Sequence, residues 1–526
     1  MQIKNIFWPD DYAVRARRLE LIFWGVVLAF ASFPLKTGWF AWFALARPLL
    51  LIAPLGAKGA FRSGFLFSFV ASLVSVYWIG YVTPPGFVAT ITILSLYAGI
   101  IFGLFAAIYR RHHMLAFVVF PVLWVGLEYF RSLGELSFPW TDLSYTQGYY
   151  LYFIQLASVL GAHGLSFIVA ATNVLLALAL RPQMYVERRM SYALAAAIVI
   201  GFPFAYGWIE TPAYAEPPEI RIGLLQGNFT LEQKWSKENR DEVFRVYDSL
   251  AGEAGALGAK LIVWPETAAP VYMLYDRRYV LEHTKKARAD GASNIIGTMH
   301  SDFHGGRRRY YNAAVQLGPE GEFSEPYLKR KLVPFAEQAP YQDLFPFLRR
   351  DFLEKYLTFI KTYNVQWWSD FRPGDSTVIL EFDSLKYAPL ICFEIAYPEY
   401  VREALQRGSE FILTITNDTW FKKSAGPYQH ERISIMRAVE NRAWLARAAN
   451  SGFTFIADPY GRIQESLPWY TRGYLTGEID RHYDKSPFYR HGPVLGRLCF
   501  IFTLLTGLFF SILGLSATFG LKLEPR

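Results

Sequence analysis

Apolar residues gather in long blocks along this chain. Seven fill the first 210 residues, at 19–33, 39–55, 61–82, 87–109, 114–130, 152–180 and 191–208, and an eighth runs from 496 to 519. Most approach the ~20 apolar residues that a helix needs to cross a hydrocarbon core. The pattern predicts a bundle of eight membrane helices, seven within residues 1–210 and one within 496–520. The first block is short and ends at Pro34. Further spans follow it at once and no small-residue cleavage site stands out, so it reads as a retained helix rather than a cleaved leader.

Between residues 220 and 482 the pattern changes. A linker at 211–219, TPAYAEPPE, marks the boundary with its prolines. Short β-rich runs follow at 220–225, 261–264, 295–297, 313–317, 389–392, 411–416 and 453–457. Helical patterns lie between some of them, at 240–257 and 430–450. Strands alternating with helices predict a layered α/β domain.

Composition agrees with a membrane part joined to a folded polar part. The chain is 52% hydrophobic, 17% aromatic and 19% charged, with a mean hydropathy of +0.16. The net charge of +8 does not point to nucleic acid, because no basic-aromatic module accompanies it. Many basic residues sit between the apolar blocks instead. If the N-terminus is cytoplasmic, the inner segments carry Lys4, Arg15, Arg17, Arg18, Lys58, Arg62, Arg110, Arg111, Arg181, Arg188, Arg189, Lys522 and Arg526. The outer loops carry little beyond Lys36 and Arg131. That asymmetry obeys the positive-inside rule and places the 220–482 domain outside the cytoplasm.

Three polar residues end or interrupt apolar runs in that domain. They are Glu266 in LIVWPET, Lys329 in EPYLKRKLVPFAE and Cys392 in APLICFEI. Each has an ordinary alternative: a solvated rim glutamate, a solvent-facing basic cluster with Arg330 and Lys331, and a buried structural thiol. The other cysteine, Cys499, lies in the last apolar block, so a disulfide with Cys392 is not expected. Taken together the three residue types fit acyl chemistry. A thiol near its usual pKa of about 8.5 is mostly protonated at neutral pH, so it needs a base, and Glu266 can serve. Lys329 can stabilise a thiolate or an oxyanion, and the backbone N–H of Phe393 can add a second donor. No GxSxG elbow, P-loop or HExxH zinc site is present, and His430 reads as a structural hydrogen-bonder.

These motifs resemble the nitrilase (carbon–nitrogen hydrolase) superfamily. WPET is similar to its general-base motif, YLKRKLVPFAE to its lysine motif, LICFEI to its nucleophile motif, and RAVENRAWLARAANSG at 437–452 to the helix and strand that follow. The resemblance implies an αββα sandwich and a Glu266–Lys329–Cys392 triad, with Glu337, Phe393 and Glu394 as auxiliary catalytic residues. A closer resemblance, over nearly the whole chain, is to the apolipoprotein N-acyltransferases, which join such a domain to eight membrane helices. QGNFTLEQKW (226–235), TNDTWF (416–421) and GPYQHERISIMRA (426–438) resemble stretches of that branch, implying substrate-binding roles for Trp235, Asn417 and Trp420. Phe393 stands where that branch often has Tyr, Lys331 where His is common, and Ala336 where Gly is common.

The resemblance implies an inner-membrane enzyme that moves an acyl chain from a phospholipid, typically phosphatidylethanolamine, through a Cys392 thioester to the N-terminal amine of a diacylglyceryl-cysteine lipoprotein. No cofactor is implied. Two other readings are a membrane-tethered amidase and a transporter with a polar appendage. Seven helices exceed what tethering needs. Apart from Arg47, the apolar blocks hold few ionisable residues of the kind a transport path would use. One segment, 339–368, mixes large apolar residues with Arg349, Arg350, Lys355 and Lys361. It reads either as a core-packing helix or as an arm resting on the bilayer.

Overall fold

The computed structural model describes residues 11–212, 218–349, 352, 355, 369–482 and 484–518. It has two compact units. One comprises Met1–Tyr77, Phe87–Glu210 and Pro493–Arg526; the other comprises Trp78–Gly86 and Thr211–Gly492.

The first unit is helical. Its helices are α1 (Tyr12–Phe30), α2 (Ala46–Ile52), α3 (Ala57–Ser75), α4 (Pro84–Tyr109), α5 (His113–Phe130), α6 (Ala157–Ala179) and α7 (Val186–Glu210), with a last long helix at Val494–Thr518. Among the described residues five are long and apolar enough to cross a membrane: α4, α5, α6, α7 and Val494–Leu513. The expected count of eight is not reproduced exactly among the described residues, and two of the apolar blocks are organised differently. The block at 39–55 is a 3₁₀ turn, Gly38–Trp42, followed by the seven-residue α2. Pro48 fits the first turn of α2 but cannot donate within a longer helix. The broken backbone is satisfied by buried Asn173, which accepts from Leu45 N at 2.8 Å and donates to Ala41 O at 2.7 Å. The block at 61–82 also ends early, at Ser75, and Trp78–Gly86 belongs to the second unit.

Two ionisable residues that the apolar pattern hid also emerge. Glu20 on α1 pairs with Arg47 at 2.7 Å. Glu128 on α5 is fully buried and accepts from the Trp124 indole and from Leu143 N, each at 2.9 Å. Arg131 is not a free loop charge, because it pairs with Asp142 at 2.7 Å.

The second unit is built on two sheets. The first contains β1 (Ile220–Gln226), β2 (Leu261–Val263), β3 (Ser293–His304), β4 (Arg307–Leu317) and β5 (Tyr327–Leu328). A small hairpin follows, of β6 (Leu380–Phe382) and β7 (Leu385–Tyr387). The second sheet contains β8 (Pro389–Ile391), β9 (Ile412–Thr416), β10 (Leu445–Ala449), β11 (Thr454–Ala457) and β12 (Ile463–Leu467); β13 (Gly473–Ile479) returns to the first. The orders are β13-β1-β2-β3-β4-β5 and β12-β11-β10-β9-β8. Side chains alternate in direction along a strand. Ile222 and Leu224 of β1 thus meet Ile391, Leu413, Ile415 and Ala446 between the sheets. Leu225 and Trp264 face the other way, onto α9 (Arg240–Ala256) and α10 (Arg277–Asp290) through Phe244, Tyr247 and Tyr279. On the far side α12 (Gly426–Asn441), next to α11 (Pro398–Gln406), packs on β10. The result is the expected αββα sandwich.

The helix expected across 430–450 ends at Asn441, where Arg442 turns left-handed at φ 53° and the chain enters β10. Trp78–Gly86 docks on this unit. The Trp78 indole donates to Gln429 Oε1 at 3.0 Å and meets Phe421 edge-on at 4.5 Å, and the Thr83 hydroxyl donates to Phe335 O at 3.3 Å. Of the 339–368 segment, residues 350–351, 353–354 and 356–368 lie outside the described residues. Leu344, Phe345, Phe347 and Phe352 are exposed, so the core-packing reading fails for these four.

Candidate active site

Each of the three candidate residues follows a strand end, where the sheet fixes it. Glu266 comes after β2. Trp264 N still bonds Ile295 O at 2.8 Å, then Pro265 ends the pairing and Thr267 turns left-handed at φ 48°. This turn lies so close to β3 that a Cβ on Gly297 would come within 2.2 Å of Pro265 O, so only glycine fits. Lys329 follows β5 and donates its main-chain N–H to Asn312 O at 2.8 Å. Cys392 follows β8 and holds a left-handed φ of 53°, a conformation that persists in a non-glycine residue only when its surroundings over-determine it.

The geometry brings these residues together in a buried cluster. Lys329 is 1% exposed, and its Nζ lies 2.9 Å from Glu337 Oε1 and 3.3 Å from Glu266 Oε1. The basic-cluster reading is thereby excluded for Lys329. Arg330 is engaged as well, with Glu403 at 3.1 Å, with the Thr377 hydroxyl and over the Tyr400 ring. Burial alone would push the Lys329 pKa down. Glu266 and Glu337 outweigh it, and the ammonium is held above its usual range. Burial and then Glu266 push the Cys392 thiol up, against smaller opposing effects of Lys329 and Thr416. Cys392 is therefore held as a neutral thiol.

The other expected site residues fall in different places. Glu337 Oε2 accepts from Val333 N at 2.9 Å. Glu394 is fully buried and works as a clamp. It accepts from Ile391 N (2.6 Å), Arg330 N (2.7 Å), Lys331 N (3.3 Å) and the Tyr327 hydroxyl (2.9 Å), tying the cysteine turn to the lysine turn. Burial raises its pKa. Phe393 is buried, edge-on to Tyr397 at 5.2 Å. Asn417 is buried and accepts from Asn450 at 3.1 Å. Trp420 lies in the Asp418–Phe421 turn, half-buried. Trp235 is 42% exposed at the end of α8 (Leu231–Trp235), whose neighbouring residue Lys234 reaches inward.

Two residues that sequence reasoning missed complete the cluster. Asn312 Nδ2 donates to Glu266 Oε1 at 2.7 Å and to Glu337 Oε1 at 3.2 Å, joining the two carboxylates. Its signal is the first of two amides, with Gln316, inside the otherwise apolar strand YYNAAVQL. Lys234, 1% exposed, donates to the main-chain carbonyl of Glu266 at 2.9 Å. Burial pushes its pKa down to about 7, only partly offset by Glu266. A lysine beside a tryptophan in a short polar helix gives no such warning in the sequence.

Residues 221–485 match the carbon–nitrogen hydrolase family, and residues 24–175 match the apolipoprotein N-acyltransferase N-terminal domain. The chain is 33% identical to an apolipoprotein N-acyltransferase of Geobacter metallireducens over 520 residues, 95% of this chain and 96% of that one. It is 32% identical to one of Pseudomonas aeruginosa over 88% of this chain and 91% of the relative. Among solved structures, an amidase of the nitrilase superfamily from Nesterenkonia AN1 is similar at 19% identity and a TM-score of 0.36, covering 51% of this chain and 93% of that one. The chain belongs to the apolipoprotein N-acyltransferase family and is an integral membrane protein with a carbon–nitrogen hydrolase domain.

Proposed function

We propose that the protein transfers an acyl chain from a membrane phospholipid, phosphatidylethanolamine in the first instance, to the N-terminal amine of a diacylglyceryl-cysteine lipoprotein, with Cys392 as nucleophile. The observation that carries this reading is the buried Lys329 held between Glu266 and Glu337 and electrostatically coupled to the Cys392 thiol. In the first half-reaction Glu266 takes the thiol proton and Sγ attacks the ester carbonyl. Lys329 and the Phe393 N–H stabilise the oxyanion. Collapse expels the lysophospholipid alkoxide, which takes the proton from Glu266, and leaves a thioester. In the second, the neutral lipoprotein amine attacks the thioester and gives its proton to Glu266. The amide forms and sulfur leaves, recovering the proton. Glu337 and Asn312 hold Lys329 and Glu266 in register. Glu394, with four donors on its carboxylate, clamps the loops.

Incubation with phospholipid and no amine acceptor tests the scheme. The protein should gain the mass of one acyl group, removable by hydroxylamine, and Cys392→Ala should gain nothing while remaining folded in the membrane. Lysophospholipid release in the full reaction without any adduct would overturn the thioester. The asymmetry of loop charge favours a periplasmic catalytic unit in the inner membrane. Single-cysteine variants treated with an impermeant thiol reagent should label at position 235 but not at 188 from the periplasmic side; the reverse result would invert the orientation.

A further inference from the structure

Beside Cys392 lies a second buried polar cluster that the acyl-transfer scheme does not use. Asp418 follows β9, His430 lies on α12 and Arg447 lies on β10; all three side chains are at most 1% exposed. Arg447 Nη2 donates to Asp418 Oδ2 at 2.7 Å, and Asp418 Oδ1 lies 3.0 Å from His430 Nδ1. The other ring nitrogen, Nε2, is 3.3 Å from the carbonyl oxygen of Cys392. That oxygen can only accept, so Nε2 carries the hydrogen; burial and then Arg447 push the His430 pKa down, so the ring is neutral and Nδ1 accepts from Arg447 Nη2 at 3.1 Å. Thr416 donates to Asp418 Oδ1 at 3.1 Å, and its hydroxyl is also within hydrogen-bonding reach of the Cys392 thiol. Arg447 is fixed in turn by Phe453 O at 3.1 Å and the Ser434 hydroxyl at 3.2 Å. Although burial opposes ionisation, Arg447 and His430 hold the Asp418 pKa down at about 2, so it remains a carboxylate. Gly452 closes the cluster: a Cβ there would come within 2.0 Å of Asp418 Oδ2.

The Cys392 carbonyl and the Phe393 N–H belong to one peptide unit. A trans peptide is planar, with its C=O and N–H pointing in opposite directions. Anchoring the oxygen therefore fixes where the N–H aims. A donor on the oxygen also polarises the amide, which strengthens the N–H as a donor. We propose that His430, oriented by Arg447, which Asp418 fixes in turn, is a positioning residue that aims and polarises the Phe393 N–H toward the oxyanion. This rests on the reading of that N–H as an oxyanion donor.

The experiment uses the full-length detergent-solubilised protein with p-nitrophenyl butanoate and its thionoester analogue. Sulfur accepts hydrogen bonds poorly, so an enzyme that depends on oxyanion donors acylates faster with the ester. Alkylation of Cys392 by iodoacetamide forms no oxyanion and reports only the thiol. In His430→Leu the acylation rate with ester should fall about tenfold or more, below the ~10²–10³ that loss of an oxyanion donor itself costs. The ester-to-thionoester ratio should fall with it, and the alkylation rate should stay within about twofold. His430→Gln, which keeps a side-chain N–H donor, should recover part of the ratio. Gly452→Ala, which displaces Asp418, should resemble His430→Leu in milder form. A wild-type protein that does not distinguish the two esters would overturn the oxyanion reading itself. If wild type distinguishes them and His430→Leu does so equally, the positioning role is overturned alone. Equal losses of acylation and alkylation would show that the cluster supports the fold or the thiol instead.

Discussion

Each unit of this protein buries a basic side chain beside two carboxylates, and the two clusters do different things. In the helical unit Arg131 lies 2.7 Å from Asp142 and 4.0 Å from Glu128. In the catalytic unit Lys329 lies 2.9 Å from Glu337 and 3.3 Å from Glu266. The first cluster is built into structure. An indole and a main-chain N–H hold Glu128, and the Thr141 hydroxyl accepts from Arg131 at 3.1 Å. The second adjoins a thiol whose pKa its own charges help to set. A buried ion pair is weak evidence of stability or of function by itself. What separates the clusters is the reactive atom next to one of them.

That contrast is sharpened by removing the two cations. Lys329→Met should lower acyl transfer about 10²–10³-fold per folded molecule, because it deletes the proposed oxyanion donor and leaves two carboxylates facing each other. Single-turnover acylation, normalised to protein that survives size exclusion, checks it; a loss under tenfold would remove Lys329 from the chemistry. Arg131→Met should do the opposite. Stripping one partner from a buried pair costs about 3–5 kcal/mol, so the melting temperature in detergent should drop by several degrees. The folded fraction should then acylate within about threefold of wild type. If Arg131→Met retains its melting temperature and loses turnover, the helical cluster takes part in function and the contrast collapses.

How much of this was legible in the sequence follows from what each residue type advertises. Glu266, Lys329 and Cys392 stood out because each closes an apolar strand with a reactive group, and a sheet edge needs no distant partner to be recognised. The long apolar helices were legible for the same local reason. Glu128 was not, since one acid in a strongly apolar block disappears into its average. β10 was hidden from the residue pattern, because its LARAA sequence has little β propensity and follows a helix without a glycine or proline to mark the turn; only the resemblance of 437–452 to a family helix and strand pointed to it. The left-handed Arg442 makes that turn instead. Asn312, Asp418 and Arg447 come from separate strands and loops, so only the fold brings them to the site.

The exposed stretch at 344–347 gives a smaller test on the membrane side. Leu344 and Phe347 are more than half exposed, and they lie in the segment that links the lysine and cysteine motifs. Leu344→Asp with Phe347→Asp should lower turnover of bilayer phospholipid about fivefold if these side chains rest in the acyl boundary. Acylation by a short water-soluble ester should be unchanged, because neither residue touches the triad. Equal loss on both substrates, with a lower melting temperature, would show that the segment is part of the packed domain.

The smallest effect concerns Lys234, the second buried lysine at Glu266. Lys329 meets two carboxylates and is held cationic, whereas Lys234 meets the Glu266 carbonyl at 2.9 Å and is pushed down to about 7. The sign of the resulting pH dependence is fixed by linkage. An unfolded lysine titrates near 10.4, so between pH 7 and about 10 the unfolded chain binds a proton that the folded one has released. Stability contributed by this site therefore rises with pH across that window, by at most about 1.4 kcal/mol per pH unit. Below pH 7 both states are protonated and the cost of the buried ammonium is fully present. Lys234→Met removes the group, and other titrating residues cancel in the comparison. The melting temperature of wild type minus that of the variant should therefore increase from pH 7 to pH 9.5. A flat difference would mean that Lys234 stays charged throughout. Its bond to the Glu266 carbonyl would then be strong enough to offset burial, much as the two carboxylates do for Lys329.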